Sequence, residues 1–166
     1  MKKPKIKIKK ATLADLDSFW KFFQSSVQKQ FPQYSLKAKN LFLKKYFTKA
    51  ILRSDLKGKR IDLILVRVGR GIVGYLLTNE PYGGILYVSW LAVDKTFQSL
   101  GIGSLLLGEL EKVAKGRDVH KVHLWTSKHN LKFYQKNKWI LVGHIPQNYF
   151  GADDWLFYKT IQKPKY

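Results

Sequence analysis

The run from Val93 to Ser104, Val-Asp-Lys-Thr-Phe-Gln-Ser-Leu-Gly-Ile-Gly-Ser, constrains the fold more than any other part of the chain. An apolar stretch, Ile85 to Val93, ends in it. A polar turn follows, and beyond Gly101 the residues Ile102, Leu106, Leu110 and Val113 fall on one helical stripe that runs to Gly116. This reads as strand, glycine turn, helix. Such a junction leaves the N–H groups of the first helical turn without intrahelical partners, at the positive end of the helix dipole. Glycine lets a ligand come close to the backbone. The unit is suited to a phosphate or diphosphate.

The rest of the chain supplies strands and helices around that unit. Ile6 and Ile8 alternate with lysines between Lys5 and Lys10, predicting a short first strand with one buried face. Thr12, followed three residues later by Asp15, marks a helix start of the capping-box type. Leu13, Leu16, Trp20, Phe23 and Val27 then give one apolar face, and Phe31-Pro32 ends the helix. Ser35 is placed to cap a second helix with Leu36, Leu43, Phe47 and Ile51 inward and lysines 37, 44 and 45 outward. Ile61 to Val68 is nearly all apolar, as a strand covered on both faces is. Gly69-Arg70-Gly71 makes a hairpin turn into Ile72 to Thr78, and Glu80 to Gly84 makes another turn into Ile85 to Val93. Later elements are a strand over Val119 to Trp125, a short helix over Asn130 to Lys136, and strands over Trp139 to Ile145 and Trp155 to Ile161. A loop, Pro146 to Asp154, joins the last two strands. The order β-αα-β-β-β-α-β-α-β-β describes a single α/β domain over residues 1–166 around one mixed sheet, with residues 1–4 a flexible basic tail.

Composition narrows the chemistry. The 166 residues contain no cysteine, which excludes disulfides, thiolate metal sites and a cysteine nucleophile. No apolar run reaches the roughly 18–20 residues of a membrane span. The basic start lacks the apolar core of a signal peptide, so the expected location is cytoplasmic, with no membrane partner. Net charge is +20, and residues 1–60 hold 17 Lys/Arg against 3 Asp/Glu. One reading of this excess is an acidic partner such as RNA, a ribosomal surface or an acidic protein. The other is composition alone, with lysines on solvated helix faces.

Gln98-x-x-Gly101-x-Gly103 directly after Leu91-Ala92-Val93 resembles the acetyl-CoA signature of the GNAT (Gcn5-related) N-acetyltransferase family: Gln or Arg, two residues, Gly, one residue, then Gly or Ala. Phe133-Tyr134-x-Lys136-x-x-Trp139 resembles the family's Phe-Tyr-x-Lys-x-Gly-Phe segment. Lys9-Lys10-Ala11-Thr12-x-x-Asp15 resembles its opening strand and helix. Two departures stand out. Lys138 occupies the position where glycine is usual, and Ser127 stands where the family often has an asparagine that contacts the cofactor. Either Ser127 or the nearby Asn130 fills that place.

The resemblance implies the GNAT fold, acetyl-CoA as cosubstrate with no metal, and transfer of the acetyl group to a primary amine by direct attack in a ternary complex. It assigns the diphosphate to the backbone of Gln98, Ser99, Leu100, Gly101, Ile102, Gly103 and Ser104, and the pantetheine arm to the strand edge at Leu91, Ala92 and Val93. It implies that Tyr134 is the general acid for the departing thiolate. An amine with a pKa of ~10.4 is almost wholly protonated at neutral pH, so a base or a water chain to one is useful. The strand before the signature has no glutamate; its polar residues are Tyr87 and Ser89. Candidates for the base are Glu80, at the end of the preceding strand, and His120 or His123. Asp153 and Asp154 can attract a cationic amine.

The acceptor is the least determined part. The basic helical side repels a polyamine and attracts an amine carried on an acidic molecule. The segment Asn148 to Asp154 resembles the tyrosine-rich, acidic loop of peptide and ribosomal-protein N-terminal acetyltransferases. A protein or peptide amine is therefore the expected acceptor. The alternatives are a small amine, antibiotic or metabolite, or a non-catalytic CoA-fold module that binds nucleic acid through its basic face. Both a monomer and a homodimer are compatible with the sequence.

Overall fold

A computed structural model of the chain describes residues 5–165. The basic tail expected over residues 1–4 lies outside the described residues. Seven strands form one sheet in the order β1-β2-β3-β4-β5-β7-β6. They are β1 (Ile6–Lys10), β2 (Leu63–Val68), β3 (Gly71–Thr78), β4 (Ile85–Val93), β5 (Lys121–Thr126), β6 (Ile140–Ile145) and β7 (Asp154–Thr160). Only β4 and β5 pair in parallel; the other neighbours are antiparallel. Helices α1 (Leu16–Gln30), α2 (Leu36–Leu41) and α3 (Lys49–Lys57) cover one face, while α4 (Ile102–Gly116) and α5 (Leu131–Lys136) belong to the other. The mixed sheet with flanking helices is the expected architecture, with one helix more. No helix among the described residues is long and apolar enough to cross a membrane.

The strand β2 is covered on both sides, as its unbroken apolar run predicts. Ile64 and Val66 join the core under α4, whereas Leu63 and Leu65 join the core under α1 to α3. The edge strand β1 departs from expectation. Ile8 packs against the core, but Ile6 is exposed, because β1 has a neighbour on one side only. The capping box holds: the Thr12 N–H donates to the Asp15 carboxylate at 2.9 Å. It opens a single 3-10 turn rather than α1 itself, which leaves Leu13 exposed and brings Phe19 into the core.

The single second helix is corrected to two. Ser35 does cap α2, accepting from the Ala38 N–H at 3.2 Å. The wider π turn at Phe42–Tyr46 then rotates the following side chains out of α-helical phase. Thr48 starts α3 afresh by accepting from the Ile51 N–H at 3.2 Å. Ala38, Phe42 and Leu52 are therefore buried, while Leu36 and Ile51, expected inward, are exposed. At the end of α5, Lys138 takes φ 62°, so the left-handed turn for which the family uses glycine is kept without it. Trp139 N–H closes that turn on the Tyr134 carbonyl at 3.0 Å.

Candidate active site

The site begins where β4 and β5 part. They pair only from Ile85 to Tyr87. Just beyond, the register between β3 and β4 slips: Thr78 faces Val88, while Leu77 faces Trp90. Ser89 is the extra residue of a β-bulge, which bends the strand and leaves the bulged residue unpaired. The bulge also reverses the alternation of faces. Leu86 and Val88 point into the core under α4, but Trp90 and Ala92 point into the core under α1 to α3. The Ser89 hydroxyl donates to the Asn79 side-chain oxygen.

The gap opens into a cavity of about 310 Å³. Val88 to Leu91 line it from β4, and Leu124 to Thr126 line it from β5. Two residues beyond Leu91, β4 ends at the glycine junction. Asp94 accepts from the Thr96 N–H at 2.9 Å and folds the chain into a short 3-10 turn, Lys95–Phe97. The Gln98 side chain donates back to the Val93 carbonyl at 3.1 Å, tying the turn to the strand end. Ser99 and Gly101 both have positive φ, 64° and 81°. The first bond into α4 runs from the Leu105 N–H to the Gly101 carbonyl at 3.0 Å, so the N–H groups of Ile102, Gly103 and Ser104 precede the helical ladder.

The two glycines serve different ends. Nothing lies within 4 Å of where a Cβ on Gly101 would stand, so its role is the left-handed backbone and the open space over it. A Cβ on Gly103 would lie 2.8 Å from Phe133 Cζ, so there the missing side chain lets α5 pack onto α4. Ile102 is buried and anchors the turn, whereas residues 98–101 and Ser104 are exposed. Exposed N–H groups that precede the helical ladder, with open space over Gly101, suit a diphosphate.

Tyr134 is buried and lines the cavity. Its ring packs on Phe157 at 5.4 Å and Trp139 at 5.8 Å. Burial pushes its hydroxyl above the ordinary tyrosine value, with the Thr126 hydroxyl offsetting part of the effect. Of the two residues open for the asparagine position, Asn130 lines the cavity and donates to Thr126 Oγ1 at 3.0 Å. Ser127 is occupied with His129 Nδ1 at 3.0 Å and is not part of the lining.

The opposite wall combines the α1–α2 connection with the segment after β6. Phe31, Gln33 and Tyr34 come from the first, and Asn148, Tyr149 and Asp154 from the second. They meet through aromatic contacts: Tyr34 on Tyr149 at 6.0 Å, and Phe42 on Phe150 at 4.8 Å. Asp154 is 2% exposed. Its Oδ2 accepts from Asn148 Nδ2 at 3.1 Å and from the Tyr149 N–H at 3.2 Å. Burial raises its carboxyl above the usual carboxylate value, and those two hydrogen bonds pull the other way. Burial, with the Asp154 charge beside them, also pushes the hydroxyls of Tyr34, Tyr87 and Tyr149 up. Gln33 Oε1 and Trp90 Nε1 are buried with no hydrogen-bond partner.

Glu80 and the two histidines fall elsewhere. Glu80 is exposed in the turn after β3 and is not on the cavity wall. His120 precedes β5 with its Nδ1 buried and unpaired. His123 packs edge-on to Tyr87 at 5.3 Å, and burial lowers its pKa. Neither histidine lines the cavity. Sequence reasoning gave Asp154 a role toward the amine, met Tyr87 and Tyr149 only as members of their strand and loop, and did not single out Gln33, Tyr34, Asn79 or Trp90, which line the cavity with them. The sequence marks the place of Gln33 and Tyr34 only by the break at Pro32.

Among the described residues no three His, Asp or Glu side chains gather as metal ligands do. A sequence profile of the acetyltransferase (GNAT) family matches residues 17–139. The fold is similar to that of a PaiA N-acetyltransferase from Thermoplasma acidophilum in complex with coenzyme A: TM-score 0.74, 19% identity, 94% of this chain and 99% of that one. It is similar to YncA from Salmonella typhimurium with acetyl-CoA: TM-score 0.76, 14% identity, 97% of this chain and 96% of that one. The ribosomal-protein-S18-alanine N-acetyltransferase from Escherichia coli is similar as well: TM-score 0.70, 17% identity, 96% of each chain. No curated protein matches the chain in sequence.

Proposed function

Since the chain belongs to the acetyltransferase (GNAT) family and is an acetyl-CoA-dependent acetyltransferase, we propose that its acceptor is the amine of a peptide or protein, acetylated by direct attack within a ternary complex. The observation that carries this reading is Asp154, a buried carboxylate on the cavity wall with Tyr34, Tyr87 and Tyr149 around it. A carboxylate among tyrosine rings suits an amine that arrives as a cation. Gln33 Oε1 and Trp90 Nε1, on residues that line the same cavity, add one acceptor and one donor without a partner among the described residues, the two kinds of group an amide pairs with. The chain has no cysteine to carry the acetyl group between substrates. The ribosomal-protein-S18-alanine N-acetyltransferase, with the same fold, is by its name an enzyme of this acceptor class.

In this reading the backbone from Gln98 to Ser104 holds the diphosphate, and the free edge of β4 from Val88 to Val93 takes the pantetheine arm as an added strand. Acetyl-CoA supplies the activated acetyl group. Asn130 borders the thiol end of the arm. Asp154 holds the incoming amine and takes its proton. Tyr134, protonated through neutral pH, gives a proton to the departing thiolate.

The test is an acetylation assay on short peptides with free and with blocked amino termini, using Asp154→Asn beside the parent chain. A charge pair 4 Å apart at an effective dielectric of about 20 is worth about 4 kcal/mol, an upper limit. The expected loss in kcat/KM is therefore about ten- to a thousandfold, read in KM for the lost charge and in kcat for the lost proton acceptor. Equal rates on free and blocked peptides, or an unimpaired Asp154→Asn enzyme, would refute the reading.

A further inference from the structure

The two outer edges of the sheet are built in opposite ways. The edge at β1 carries Lys7, Lys9 and Lys10 within five residues. Charged side chains, lysine above all, are the usual means of keeping another strand from pairing with an open edge. The edge at β6 has none of this protection. Its residues Ile140, Leu141, Val142 and Ile145 are all exposed, Ile140 at 52% and Val142 at 58%. Among the described residues the outer side of β6 pairs with no strand, since its one neighbour is β7. Tyr149 and Phe150, also exposed, follow in the same uncharged stretch. An apolar edge left open in this way is a docking edge or an aggregation hazard.

Charge indicates what covers it. From Trp139 to Ala152 there is no Lys, Arg, Asp or Glu, in a chain of net charge +20. Two copies of so basic a chain repel each other over most of their surfaces. Along this stretch they meet without opposing lysines. An acidic partner gains nothing from docking there, because the cations that would attract it lie elsewhere. We propose that the β6 edge is a homodimer interface, in which β6 of one copy pairs antiparallel with β6 of a second copy about a twofold axis and continues the sheet across the junction.

The geometry limits the assembly to two chains. Pairing β6 with itself is isologous and uses up both apolar edges, leaving only the lysine-bearing β1 edges outside. Val142 is a bulge, since Leu141 faces Phe157 and Gly143 faces Leu156, and Pro146 closes the strand. Both confine pairing to a short segment. About 20 residues a side make a standard interface. Six strand residues with Tyr149 and Phe150 beside them are fewer, which places the expected dissociation constant in the micromolar range.

Sedimentation equilibrium of the full chain across the micromolar range, in salt sufficient to screen the lysines, tests this. The expected result is a reversible rise from 19.4 kDa to twice that mass. The variant Ile140→Lys/Val142→Lys, whose side chains are already in solvent, is expected to remain at 19.4 kDa with an unchanged melting temperature. A chain that stays monomeric throughout, a dimer that survives the double substitution, or growth beyond two copies would each overturn the proposal. Should the double variant fail to fold, single cysteines at 140, 142 or 145 serve instead, in a chain that has no other cysteine. Disulfide-linked dimer from at least one of them supports the twofold pairing, and none from any refutes it.

Discussion

Gly103 offers the sharpest test of how the two halves of the site are joined. The family signature admits alanine at this position, but here an added Cβ would lie 2.8 Å from Phe133 Cζ and 3.0 Å from Cε2. Carbon atoms sit comfortably at about 3.5–4.0 Å, so the ring or the helix must move by roughly 1 Å. Overpacking of this kind costs about 1–3 kcal/mol. Alanine returns up to about 1 kcal/mol of helix propensity, less in a first turn. Gly103→Ala is thus expected to destabilise by about 1 kcal/mol, with a melting temperature lower by about 2–4 °C. Leucine at 133 lacks the two ring atoms that make the clash. In a Phe133→Leu background the same Gly103→Ala change is expected to reverse sign and stabilise by a few tenths to about 1 kcal/mol. Thermal or urea unfolding of the four chains completes a double-mutant cycle with a coupling of about 2 kcal/mol. If the two changes instead add to within about 0.5 kcal/mol, the packing account of Gly103 is wrong.

Gly101→Ala places a Cβ in open space at φ 81°, so it is expected to cost about 1–2 kcal/mol of stability and to weaken coenzyme A binding in a calorimetric titration; unchanged affinity would remove Gly101 from the cradle. Tyr134→Phe is expected to lower kcat by about 10²–10⁴ with little change in KM. Because burial keeps the Tyr134 proton in place, the parent enzyme's rate profile should show no alkaline loss from this group below about pH 10. Lys138→Gly relieves a left-handed residue worth about 1–2 kcal/mol, offset by glycine's extra freedom in the unfolded chain, so stability is expected to rise by up to about 1 kcal/mol. His123 has a lowered pKa in the fold, so the unfolded chain takes up its proton first. Its contribution is present above pH ~6.5 and is lost as pH falls below that value, and His123→Asn should flatten the acid side of a plot of melting temperature against pH.

The strand–glycine–helix junction was legible in the sequence because each of its parts is local. The glycines, the preceding apolar run and the leucine stripe all lie between Ile85 and Val113, and the required backbone angles select the residue types. Tyr134 was legible for the same reason, within the segment that ends at Trp139. The break between α2 and α3 was not, because Phe42 and Phe47 keep an apolar pattern that a π turn re-phases without leaving a mark in composition. The aromatic wall of the cavity was legible only in pieces. Tyr34 and Tyr149 are more than a hundred positions apart and touch because two connections fold toward each other over Phe42.

One extra residue couples these halves. Strict alternation along β4 would put Trp90 on the same side as Val88, under α4, and would keep β4 in step with β3. Ser89 breaks that step. Trp90 turns instead to Phe23, Phe31, Phe42 and Phe47, the aromatic group on which the α1–α2 connection and the segment after β6 rest. The same bend carries the outer edge of β4 away from β5, so its backbone groups from Val88 onward face the cavity rather than a neighbouring strand. An open strand edge and an anchor for the aromatic wall thus arise from one irregularity. Period-two reading of β4 cannot reveal it, because the largely apolar, strand-favouring run from Ile85 to Val93 reads as one strand whether or not the bulge is there.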